Sequence, residues 1–84
     1  MMLSPQEYFE VFLNGKNADQ IQTEIRRLKR KIRNLQRIIS RPDYLPAICP
    51  SEDVQLICYR EYLERAEKAL AEVQVACLLL CAIL

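Results

Sequence analysis

Between Asp19 and Arg41 apolar residues fall at Ile21, Ile25, Leu28, Ile32, Leu35 and Ile39, in steps of four, three, four, three and four. That spacing is the a/d seam of a helix that packs lengthwise on another helix, and it predicts a helix over 18–40. A second seam follows at Leu56, Tyr59, Leu63, Ala66, Leu70, Val73, Cys77, Leu80 and Leu84, predicting a helix over 52–84. The stretch 41–50 between them holds Pro42, Pro46 and Pro50 and reads as a stiff connection. Two seams joined by a short loop specify an antiparallel, coiled-coil-like hairpin. The loop allows two registers, with Leu28 opposite either Leu63 or Leu70, and Ala66 would let the backbones approach closely. Glu67 would then lie near Lys29 or Lys31.

Turn and cap chemistry sets the ends. Ser4-Pro5-Gln6-Glu7 combines a cap, a proline suited to the first helical position and a capping-box carboxylate. It predicts a helix over 5–14 with Tyr8, Phe9, Phe12 and Leu13 on its apolar face, closed by Asn14-Gly15. This short helix is expected as a lid over the end of the hairpin. Asn17-Ala18-Asp19-Gln20 repeats the capping logic, Pro42 ends the second helix, and Ser51 caps the third. In the loop, Tyr44, Leu45 and Ile48 are expected to fold back over the hairpin end. The fold class is therefore all-α: one helical domain over 1–84.

Composition sharpens this. One Gly among 84 residues, with 51% hydrophobic residues, argues against a turn-rich β fold, and a chain this short struggles to bury a full core alone. The net charge of +1 conceals an asymmetry: basic residues crowd the second helix and later segments are acidic. From Val73 to Leu84 the tail is apolar on every side, yet shorter than the roughly 20 residues a membrane span needs, so membrane association is not expected. Burying its outer Leu and Ile residues favours association, and Leu78, Leu79 and Ile83 are candidates for a homo-oligomer interface. Cys49, Cys58, Cys77 and Cys81 lack a disulfide-framework spacing and no signal peptide precedes them, which points to a reducing, cytoplasmic setting.

Catalysis finds little support. There is no His, hence neither the commonest general base nor the commonest metal ligand, and no Gly-rich phosphate loop. Cys77 and Cys81 lie one helical turn apart without a further ligand and read as packed thiols. Neither enzymatic activity nor a cofactor or metal is expected. Two binding constellations stand out. Arg26, Arg27, Arg30, Arg33 and Arg37 form a basic face able to meet phosphates or acidic side chains on successive turns, or to serve as a solvated outer face. Tyr62 and Arg65 flank the second seam and would frame a groove for a nucleotide-like ligand, since rings stack and guanidinium groups fork onto phosphate.

The runs EYFEVFLNGKNADQIQTEIRRLKRKIRNLQRII and CYREYLERAEKALAE resemble small helical accessory proteins of bacteriophages and mobile elements, over about the first seventy-two residues. That resemblance implies a cytoplasmic, non-enzymatic protein that occupies a host protein's surface or sequesters a small signal. The expected function is a helical interaction module that binds and modulates a macromolecular partner, in its most concrete form a phage-type inhibitor of a host defence factor. Nucleic-acid binding by the basic helix and capture of a nucleotide-like ligand between protomers are the alternatives.

Overall fold

A computed structural model describes residues 2–46 and 50–83, without the side chains of 77 and 80–83. Within them the chain is all-helical and has no strand: α1 (Pro5–Tyr8), a π-helical turn (Phe9–Leu13), α2 (Ala18–Ile39) and α3 (Glu52–Ile83). The helices α2 and α3 pack as the expected hairpin. Both expected capping boxes form. Ser4 Oγ accepts from the Glu7 amide while the Glu7 carboxylate accepts from the Ser4 amide, at 3.2 and 3.1 Å. Asn17 and Gln20 do the same at 2.9 and 3.0 Å. Each box satisfies amides that the first helical turn leaves free.

The N-terminal segment departs from a single α-helix over 5–14. After α1 the chain widens, and the Asn14 amide bonds to the Phe9 carbonyl five residues back at 2.8 Å. The wider turn lines up residues five apart, so Tyr8 and Leu13 are both buried while Phe12 is 43% exposed. A type II turn follows. The Lys16 amide bonds to the Leu13 carbonyl at 3.1 Å, Asn14 is extended at φ −61, ψ 127, and Gly15 supplies the φ of +77 that a side chain resists. The segment does not cap the hairpin end as expected. It lies along one flank, where Tyr8 stacks on Tyr62 with centroids 4.4 Å apart and planes 6° apart.

That flank contact rotates α3 relative to its expected seam. Tyr62, Ala66 and Ala69 are its buried line, whereas Tyr59, Leu63, Leu70 and Val73 are only partly covered. On α2 the expected residues do carry the core, with Ile21, Leu28 and Leu35 almost fully enclosed. Lys31 sits over the Tyr59 ring, and Ala18 shares a recess with Val73. Both fit Leu28 opposite Leu63 better than Leu28 opposite Leu70. In the connection, Tyr44 folds back and its hydroxyl donates to Glu52 at 2.9 Å. Leu45 does not, being 81% exposed, and Ile48 lies outside the described residues. Ser51 does not cap α3 through its hydroxyl, which donates to Asp53. Its carbonyl takes the first helical bond from the Gln55 amide.

Candidate interaction surfaces

The five arginines proposed for the basic face separate into two groups. Arg26, Arg30, Arg33 and Arg37 are exposed at steps of four, three and four, so they share the outer face of α2 and span about 16 Å along its axis. Arg27 belongs to the other flank. Its Nε donates to both Glu24 oxygens, at 3.0 and 3.1 Å, and Glu24 also accepts from the Tyr8 hydroxyl. Burial pushes the Glu24 carboxyl up, but the Arg27 and Tyr8 bonds outweigh it and hold it below its ordinary value. Burial and the same carboxylate push the Tyr8 hydroxyl well above its ordinary value. The pairing with Glu24 raises Arg27 further. Arg27 is thus engaged by the same Glu24 carboxylate that ties Tyr8 of α1 to α2.

Among the described residues this is the only ion pair. Glu67 does not pair with Lys29 or Lys31, because Lys31 turns its ammonium to the Tyr59 ring, 5.8 Å from the centroid. Arg26 bonds only to the neighbouring Thr23 hydroxyl, at 3.2 Å. The outer face of α2 is therefore a positive stripe that no carboxylate among the described residues neutralises, and Glu61, Glu64, Glu67 and Glu72 are exposed on α3.

The nucleotide groove framed by Tyr62 and Arg65 does not form. Tyr62 is 3% exposed, its ring faces Tyr8, and its hydroxyl donates to the Leu3 carbonyl. Arg65 lies 4.0 Å over the Phe9 ring, and its Nη1 is buried without a hydrogen-bond partner. Both residues fasten the N-terminal segment instead. The reason is the rotation of α3: placing Tyr59 in the seam would have left Tyr62 at a rim, but burying Tyr62 sends Arg65 to the flank occupied by Phe9.

The expected oligomer residues stand differently. Leu78 and Leu79 are 69% and 60% exposed, as is Val75 at 54%, while the Ile83 side chain lies outside the described residues. Val73 is already level with the start of α2, so α3 extends past the end of its partner helix. Cys58 is a half-buried free thiol, and the side chains of Cys77 and Cys81 are not described. No described helix is long and apolar enough to cross a membrane.

One surface was not anticipated. The hairpin has two flanks, and only one carries α1. Along the other, Lys29, Ile32, Arg33 and Leu63 line an open recess of about 390 Å³. Ala18, Asp19, Val73 and Leu78 line a second of about 690 Å³ further along. The signal in the sequence is a second heptad row, Leu56, Leu63 and Leu70, running beside Tyr62, Ala66 and Ala69. Two adjacent apolar rows on one helix call for two neighbours.

No family model matches this chain, and neither the curated proteins nor the solved structures contain a match to it.

Proposed function

We propose that the protein is a non-enzymatic helical interaction module that self-associates through its apolar tail and presents the outer face of α2 to an acidic macromolecular partner. The observation that carries this is the stripe of Arg26, Arg30, Arg33 and Arg37, exposed on consecutive turns and unpaired with any carboxylate among the described residues. Arginines four apart repel one another by a few tenths of a kcal/mol, so their shared charge does not itself stabilise the helix. A surface-blocking inhibitor, as the phage-protein resemblance implies, is one concrete form of this module. The second reading is nucleic-acid binding, favoured by the same stripe because phosphates also meet guanidinium groups on successive turns.

Replacing Arg26, Arg30 and Arg37 together by Gln tests both. None of the three packs in the core, so the fold persists. Capture from the native host by the parent chain, lost with the triple variant, supports the module. Nucleic-acid binding differs in its salt response: affinity falls with a log–log slope of about −0.9 per phosphate contact on duplex DNA. An acidic protein partner retains more of its affinity, because apolar anchors carry much of an interface's energy. Tight duplex or single-strand binding at physiological salt, lost in the triple variant, would place nucleic acid first.

A further inference from the structure

The open flank is built like half of a coiled coil. Its α2 side carries the heptad row Ile25, Ile32 and Ile39, each less enclosed than Ile21, Leu28 and Leu35 in the adjoining row. Its α3 side carries Leu56, Leu63 and Leu70, all half-buried. A second recess on the same flank, lined by Ala18, Val73 and Leu78, lies beyond the groove between these rows and borders the exposed face of the tail. A single occupant as long as the hairpin would cover the groove and the tail together.

We infer that this occupant is a second copy of the chain, docked about a two-fold axis that runs along the length of the hairpin. The inference rests on the self-association proposed above and specifies its geometry. An axial two-fold keeps every residue at its own height and lays each α2 against the partner's α3. A two-fold across the hairpin would instead lay α2 on α2 and α3 on α3, running in opposite directions.

Charge separates the two arrangements. The α2 segment holds seven Lys and Arg against two carboxylates, and α3 holds six carboxylates against three cations. Crossing the hairpins would set Lys29 and Arg33 against a second α2. With the axial two-fold they face the other copy's α3 at the level of Leu63, where Glu64 and Glu67 are exposed; Arg60 is the one cation on that edge. The tails settle the same choice. Only the axial arrangement brings the two apolar tails side by side, and so covers Val75 and Leu78 with like residues.

The test measures mass and distance on the full chain. Sedimentation of the parent protein is expected to give a dimer or a multiple of it. In a variant with its four cysteines replaced by Ser, single labels at Arg60→Cys or Gln74→Cys are then read by pulsed electron resonance. Each label is expected to lie within about two helix diameters, some 25 Å, of its own counterpart. In mixed dimers, position 60 to position 74 is longer than either same-site distance, because fourteen residues add about 21 Å along the axis. Leu63→Glu, on the groove floor, is expected to weaken the dimer at least about a hundredfold by placing a carboxylate in apolar surroundings. Val11→Glu, on the opposite flank, leaves it unchanged.

A monomer in sedimentation overturns this arrangement and the self-association reading together. An oligomer with long same-site distances and a short 60-to-74 distance keeps self-association and overturns the axial two-fold. An oligomer with short same-site distances that Leu63→Glu does not weaken overturns the groove as its seat.

Discussion

Tyr8 concentrates several roles in one side chain. Its ring lies against Tyr62, its hydroxyl donates to Glu24, and Glu24 holds Arg27, so a single residue ties α1 to both long helices. A hydrogen bond to a charged acceptor is worth about 1.5–3 kcal/mol when enclosed, and this one is partly open to water. Tyr8→Phe keeps the stacked ring and loses the bond, and is expected to cost about 1–2 kcal/mol in urea denaturation. The same group sets a pH window. The folded Glu24 lies below its ordinary 4.5, so its contribution is full above that value and lost as pH falls through the lowered one. The folded Tyr8 lies above its ordinary 10.0, so its contribution is full below that value and lost as pH rises through the raised one. Stability is expected to be flat between these limits and to fall on both sides. In Tyr8→Phe the alkaline decline weakens, and a profile identical to the parent's would exclude this network as its cause. Arg65 is the converse case. Its aromatic contact is favourable, but a buried N–H without a partner costs about 1–3 kcal/mol. Arg65→Met keeps the packing over Phe9 and removes that donor, so a melting temperature equal to or above the parent's is expected.

At the scale of elements, what was legible in the sequence was local. The two capping boxes need only residues three apart, and the α2 seam is a single apolar row on an otherwise charged helix, so both could be read directly. The identity of the positive face was equally plain from Arg26, Arg30, Arg33 and Arg37. Arg27 was separable too, since Glu24 stands one turn before it. The rotation of α3 was not legible, because Tyr59, Leu63 and Leu70 and Tyr62, Ala66 and Ala69 offer two adjoining apolar rows. Which row faces α2 is decided by a contact from far along the chain, Tyr8 on Tyr62. The π turn was hidden for the same reason: only tertiary contacts require Tyr8 and Leu13 to share a line. Ala66 is fully enclosed, and a larger side chain there must displace its neighbours. Ala66→Leu, although conservative in a helix, is expected to destabilise by about 1–3 kcal/mol through overpacking. Chemical denaturation reads this directly, and a neutral result would mean that the helices do not meet there.

The whole molecule is long and thin, 59 by 21 by 14 Å, with a radius of gyration of 15.8 Å. A compact chain of this length has a radius near 12 Å. The excess length comes from α3, which at 32 residues extends about 48 Å and outruns α2 by the length of the apolar tail. Among the residues whose side chains are described, the enclosed core runs from Tyr8 and Leu13 through Ile21, Ile25 and Leu28 to Tyr62, Ala66 and Ala69, with Val73, the first residue of the tail, packed at its edge. Val75, Leu78 and Leu79 are exposed, so folding of the hairpin and burial of the tail beyond Val73 are expected to be separable. Ending the chain after Gln74 removes exposed Val75, Leu78 and Leu79 without opening the core. Such a shortened chain is expected to keep its α2 and α3 helicity and a cooperative melt, while sedimenting as a monomer or a weakened dimer held by the groove alone. Each buried Leu is worth roughly 1.5–3 kcal/mol, so losing Leu78 and Leu79 from both sides of an interface shifts its dissociation constant by several orders of magnitude. If the shortened chain associated as tightly as the parent, the tail would have no part in assembly. If it failed to fold, the hairpin would depend on the tail, and the division between core and tail drawn from burial would be wrong.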